Sequence, residues 1–442
     1  MHQPTEDEVE EDMMLLLALE LLIDDSSDDD DPAPADKIPR LLGMTSENGE
    51  RPFEAIYNSR NRSLFRDHFR MSRSSFDVLF DRCARFFPET IRDQREALGV
   101  TLDWLGSALA CRKQEICFDL SYSTVHKYRM LGLTAILRGL GDLMVLPTRV
   151  PSKFKTKFPY FDQAICAIDG AHFPITVARA DCDRFRNRKG WISTNVLVAS
   201  DWSMRVCFVY VGAEGSAHDA TVLDWSKLIA MVPEDIFVLA DAGYGLTEKG
   251  LTPFRSTRYH LKEWAKRPNG RPQTPQELFN LRHAKARNIV QRLIGILKRR
   301  FRVLRSGMEC EFPTTKSVIY ACMLLHNFLR AVDASDQAQD LSQVPRFVGT
   351  ERDRQAQQTN SDEAPPQDDD SPQEHVDDAE RIQFDFSNGT AWRSWMAQAM
   401  WDEYVEFQRP PEEASYGEID YATSEDGQGD EDRDSDDQEE DL

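Results

Sequence analysis

The chain has 442 residues and a formal net charge of −23, more chain than one ordinary domain needs. Its charge is segregated: residues 1–36 carry 14 acids and no Lys or Arg, residues 349–442 carry 30 acids and 6 bases, and residues 37–348 carry 32 acids and 47 bases. That layout excludes a uniformly acidic protein and sets a basic core between acidic ends, which suits a polyanion such as nucleic acid or else a core whose charge the tails neutralise.

In residues 1–36 the apolar island Met13–Ile23 is too short and too acidic at its flanks for a signal peptide or a membrane span, so no membrane association is expected. It reads either as a partner-binding helix in a disordered tail or as a helix docked on the core. The eight cysteines form no CxxC pair, which argues against a structural zinc site. Several sit in apolar runs, as free thiols of a reducing compartment do, so a nuclear or cytosolic location is expected, nuclear if the partner is DNA.

Residues 52–150 read as helical, from Phe53–Tyr57 and Phe65–Ser72 into Ser75–Phe80. Asp119-Leu120-Ser121 followed by Tyr122–Tyr128 is how the recognition helix of a helix-turn-helix begins. The segment before it, Ala108–Cys117, lacks a clean apolar period, so a plain helical bundle bracing the core is the alternative.

Residues 160–333 carry the core. Strands are expected at 164–168, 173–177, 194–199, 205–211 and 236–240, with Ser200–Met204 as a hairpin turn. A helix is expected over Asp219–Met231, N-capped by Asp219, then long helices over Pro275–Arg305 and Thr314–Val332. Three antiparallel strands, a helix and a further strand is the order of a ribonuclease H-like core. The fold class is therefore α/β, a ribonuclease H-like mixed-sheet core with an N-terminal helical region and disordered acidic tails. Residues 349–442 read as low-complexity and disordered, except a docking helix near 390–407. There Trp392, Trp395, Ala399 and Met400 share one face, directed to the core or to a partner.

Two apolar runs end in acids, Ala164–Ile168 in Asp169 and Ile236–Ala240 in Asp241. Phosphodiester cleavage suits two divalent ions about 4 Å apart, held by hard carboxylate oxygens on rigid elements. The two acids are candidate ligands for that chemistry. Nine bases and no acid lie in residues 282–305, which favours phosphate contact by Arg287, Arg292, Lys298, Arg299 and Arg300; Arg186, Arg188 and Lys189 form a second candidate patch. His172, His218 and His283 read as structural, hydrogen-bonded histidines.

An ordered set of motifs then becomes specific. Ala167–Ile175 (AIDGAHFPI), Arg188–Trp191 with Asn195 and Asp201, Gly215–Leu223 (GSAHDATVL), Leu239–Tyr244 (LADAGY), Phe279–Arg287 and Leu325–Phe328 together resemble the PIF/Harbinger transposases, a family of DDE endonucleases. The resemblance implies a ribonuclease H-like catalytic domain behind a helical DNA-binding region, Mg²⁺ or Mn²⁺ as cofactor, DNA as partner and strand cleavage as activity. Family members rely on a separate DNA-binding protein in some cases, and a homo-oligomer is compatible. One position departs: the family's third acid, a Glu, is Gln291 here. The catalytic and metal set implied is Asp169, Asp241 and Gln291. Gln offers one neutral oxygen where Glu offers two charged ones, so the alternative is a catalytically impaired, domesticated transposase that binds DNA or a partner.

Overall fold

A computed structural model of the chain describes residues 51–257, 272–333 and 389–408. The expectations for residues 1–36, and those for the acidic stretches on either side of 389–408, lie outside the described residues. The chain divides into two compact units, Met1–Trp401 and Asp402–Leu442.

The N-terminal part of the first unit is helical: α1 Pro52–Asn58, α2 Arg62–Phe69, α3 Arg73–Cys83, α4 Gln94–Ser107, α5 Cys111–Phe118 and α6 Tyr122–Leu140. Asn61, Ser72, Asp93 and Ser121 stand just before their helices, and their side chains accept hydrogen bonds from first-turn amides. Phe53, Phe65, Phe69 and Phe76 close a fully buried aromatic cluster, with Phe65 and Phe69 edge-on at 4.7 Å. α4 is buried almost all round. Its acids Glu96 and Asp103 are therefore paired, Glu96 with Arg51 at 3.1 Å and Asp103 with Gln114 Nε2 at 2.7 Å and His68 Nδ1 at 3.0 Å. α5, a three-residue turn with Asp119 in the left-handed region, and α6 make a helix–turn–helix unit. Gln114 of α5 is wholly buried and also bonded to Arg129 Nε at 2.7 Å, a polar core contact where the sequence shows no apolar period.

After α7 (Ser152–Lys157) come the five strands of one mixed sheet, with the four-residue helix α8 (Cys182–Phe185) between the first two. The strands are β1 Ala164–Pro174, β2 Ser193–Ser200, β3 Val206–Glu214, β4 Phe237–Leu239 and β5 Gly250–Leu251. Their order across the sheet is β3-β2-β1-β4-β5; β1, β2 and β3 pair antiparallel, and β4 and β5 run parallel to β1. The expected strands at 164–168 and 173–177 are thus one strand of 11 residues, because pairing to β2 continues unbroken from Ala167 to Pro174. The hairpin turn is as expected. Asp201 builds it, accepting from the Ser203 and Arg205 amides at 2.9 and 2.8 Å.

The expected helix 219–231 is two, α9 Asp219–Ser226 and α10 Leu228–Met231, broken at Lys227 with φ 55°. α11 (Pro275–Arg300) crosses the sheet and ends at Phe301, with α12 (Val303–Ser306) after it, shorter than the single helix expected to Arg305. α13 (Phe312–Val332) is almost wholly buried. Its Asn327 takes the Val206 amide at 2.8 Å and donates to the Val206 carbonyl at 2.7 Å, which pins the start of β3. α14 (Gly389–Gln408) docks its first half on the core. Trp392 lies edge-on to Phe237 at 4.8 Å, Met396 and Met400 are buried, and Arg393 donates to the Thr252 and Pro253 carbonyls. Trp395, expected on the docking face, is 44% exposed.

Candidate active site

The register of the parallel pair brings the two acids together. Ala167 pairs with Leu239, and each acid follows two residues later, Asp169 on β1 and Asp241 just past β4. Side chains two apart on a strand share a face, so both carboxylates stand at the carboxyl end of β4, where the β1–β4 ladder stops. Asp169 is consequently not at the end of its own strand, as the sequence suggested, but at the point where one of its two neighbours ends.

α11 crosses above them and brings Arg287, a side chain only 4% exposed. Its Nη1 lies 3.2 Å from Asp169 Oδ1 and its Nη2 3.4 Å from Asp241 Oδ1. One guanidinium thus spans both carboxylates, a charge-assisted fork that the planar group suits. Asp169 Oδ1 also accepts from the Gly170 amide at 3.0 Å. Burial pushes the Asp169 carboxyl above the usual carboxylate range, the nearby Arg287 charge works against that, and Asp241 adds to it. Gln291 lies one turn further along α11 and is exposed.

Behind β1 is a second polar group that the sequence did not single out as a unit. Strand alternation turns Gly170 to the face opposite Asp169. A Cβ there would sit 2.8 Å from Asp219 Oδ1, 3.2 Å from Tyr244 Oη and 3.4 Å from Asn195 Oδ1. Asp219 is the first residue of α9 and not its cap, since His218 holds the cap position; its Oδ1 accepts instead from Asn195 Nδ2 at 3.0 Å. Tyr244 Oη and Asn195 Oδ1 are buried without a hydrogen-bond partner among the described residues. The signal in the sequence was the placement of Asn195, Asp219 and Tyr244 within the three motif blocks.

The basic residues named for phosphate contact divide by burial. Arg186, Arg188, Lys189 and Arg299 are exposed, Arg292 and Lys298 half-buried, and Arg287 and Arg300 buried, although phosphate contact was expected of the last two as well. Arg188 donates to His218 Nδ1 at 2.7 Å, and Lys298 Nζ donates to the His172 carbonyl at 2.8 Å beneath the Phe173 ring. Burial lowers the His172 pKa; Asp219 opposes this, while Lys298, Lys189 and Arg188 reinforce it, so the three bases lie within electrostatic reach of His172. The four motif histidines have hydrogen-bonding partners: His172 meets Ser193 Oγ at 3.0 Å, His218 the Arg188 guanidinium, His283 the Leu251 carbonyl at 3.1 Å and His326 the Met204 carbonyl at 3.0 Å.

A divalent ion needs hard oxygens converging on a place that tolerates a cation. The acid pair provides both, with the guanidinium standing in for the cation. Among the described residues no group of three or more His, Cys, Asp or Glu side chains is placed to hold a metal ion, so the fit is to a two-carboxylate site.

The comparisons with known proteins fall on this part of the chain. Residues 168–327 match the family model of the DDE superfamily endonucleases, a stretch from the residue before Asp169 to Asn327, and the resemblance read from the motifs is thereby borne out over about a third of the chain. Among individual relatives the chain is 29% identical over 171 residues to the protein named "Putative nuclease HARBI1" of Rattus norvegicus and 26% identical over 168 residues to its namesake of Homo sapiens. These alignments cover 37% and 36% of this chain, and they span 45% and 44% of the two relatives, less than half of either. No solved structure matches the chain.

Proposed function

We propose that this chain is a divalent-metal-dependent DNA endonuclease of transposase descent, built on a ribonuclease H-like core. The sheet order β3-β2-β1-β4-β5, with three antiparallel strands and two parallel ones, supports the fold assignment. The observation that carries the function is the acid pair: two carboxylates at matched register positions on neighbouring parallel strands, bridged by one cation. Asp169 and Asp241 would hold Mg²⁺ or Mn²⁺. When bound, the ion activates the attacking water and stabilises the leaving oxygen. The sequence led to an expectation of two ions with Gln291 in the third place; the chain offers two acids and one exposed amide. Arg186, Arg188, Lys189 and Arg299 present positive charge for the DNA backbone, which fixes position and not sequence. The helix–turn–helix unit α5–α6 is the proposed DNA-reading region, aided or not by a separate DNA-binding partner or a second copy of the chain, and the nucleus is the matching location.

Supercoiled plasmid incubated with Mn²⁺ or Mg²⁺ tests the reading. The wild type is expected to nick it and Asp169→Ala to be at least about a hundredfold slower, since losing one ligand of a catalytic ion removes its electrostatic stabilisation. Equal activity in the two overturns the site. A second reading, a DNA- or partner-binding protein that has lost catalysis, is favoured by one observation, the neutral Gln291 where the resembling family carries its third acid. It takes the lead if only Gln291→Glu nicks.

A further inference from the structure

We propose that the acid pair is a one-ion site, in which the Arg287 guanidinium keeps the place that a second divalent ion would take. The inference rests on the endonuclease reading above and sharpens it. Arg287 touches both carboxylates, one nitrogen to each, at 3.2 and 3.4 Å. The contact to each carboxylate falls on its Oδ1, and each carboxylate has a second oxygen with which it can meet another cation. The guanidinium is a permanent cation, so it does not leave the site by losing a proton. It is also buried, with Nη1 3.5 Å from the Ile168 carbonyl oxygen. Displacing it would strand a charge in the core, which is strongly unfavourable. A divalent ion therefore joins Arg287 at the pair and does not replace it.

The missing third acid fits the same arrangement. Three carboxylates facing two divalent ions leave one formal positive charge. Two carboxylates facing one divalent ion and one guanidinium leave the same. Gln291, four residues after Arg287 and so on the same side of α11, adds no charge to this sum, and among the described residues no other acid completes a third ligand. A Glu at 291 would lie one turn from the guanidinium and compete with Asp169 and Asp241 for it. The neutral side chain leaves Arg287 committed to the pair. Arg287 acts here as a positioning residue, holding the two carboxylates at a fixed separation before any ion binds.

The test is the number of ions bound, read by calorimetric titration of the full-length chain with Mn²⁺ and by the electron paramagnetic resonance spectrum of the bound ion. The wild type is expected to bind one Mn²⁺ per chain with an uncoupled spectrum, lost in Asp169→Asn. The double variant Arg287→Gln, Gln291→Glu is expected to bind two, with a spin-coupled spectrum. Should that variant fail to fold, Arg287→Lys keeps one positive charge without the fork and is expected to stay at one ion. Two ions in the wild type, both lost in Asp169→Asn, would overturn the inference and leave the metal site standing. So would a second ion in Arg287→Lys, or a single ion in the folded double variant. Wild-type Mn²⁺ binding that Asp169→Asn leaves intact, or no binding at all, would remove the metal site itself and the inference with it.

Discussion

A methyl group on Gly170 would lie 2.8 Å from a carboxylate oxygen and 3.2 Å from a buried phenol, closer than packed atoms tolerate. Gly170→Ala is therefore expected to destabilise the fold by ~1–3 kcal/mol, measured by urea denaturation, because Asp219 and Tyr244 must both shift. An unchanged midpoint would show that the cell behind β1 is loose. Gly170 also explains a limit of sequence reading. The Asp169-Gly170 pair looks like the end of a strand followed by a turn, since Gly punctuates loops. The glycine is there instead because side chains from β2, α9 and the turn after β4 close over it. Asp169 and Asp241 were legible because each ends an apolar run. Arg287 was not: its helix carries seven bases between Arg282 and Arg300, and nothing local marks which of them turn inward. Only the crossing of α11 over β1 decides that.

At the scale of elements, the order of strands and long helices followed from periodicity, and their boundaries did not. β1 reads as two strands because Asp169-Gly170 interrupts its apolar run, whereas the pairing to β2 runs straight through them. α5 was obscured because its core contact is Gln114, satisfied by Asp103 and Arg129 and not by apolar neighbours. α14 was legible as a docking helix, but its target was not. The structure seats Trp392 against Phe237 of β4, the strand that leads into Asp241. Trp392→Ala is expected to lower stability by ~3–5 kcal/mol, as loss of a buried large aromatic does, whereas Trp395→Ala, at an exposed position, should change it by less than ~0.5 kcal/mol. Equal effects in thermal unfolding of the two variants would contradict the docking geometry. Because β4 is three residues long, the helix braces a short strand that must place a carboxylate.

Across the whole molecule, charge is arranged by segment, and pH acts on the core through two buried histidines. Burial lowers both His283 and His326 to about 3, each donating to a backbone carbonyl in its neutral form. In the unfolded chain a histidine titrates near ~6.5. The folded pKa is the lower one, so the unfolded state binds more protons between the two values. Stability contributed by the neutral histidines is full above ~6.5 and is lost as pH falls below it, by up to ~1.4 kcal/mol per pH unit for each. Denaturation at pH 7 and pH 5 should show that fall, and His326→Gln should roughly halve the part due to histidine. A pH-independent stability over that range would contradict the buried neutral state. Composition revealed the basic middle and acidic ends; it did not reveal that some of the bases are internal, Arg287 and Arg300 among them.

The account stands on Asp169 and Asp241 holding a divalent cation. The most direct measurement is anomalous X-ray scattering from crystals of the full-length chain soaked in Mn²⁺. The account predicts a peak bonded to oxygens of both Asp169 and Asp241, at about 2.2 Å from each, with the Arg287 fork still in place. A peak elsewhere, or none while Arg287 continues to span the two acids, would contradict it.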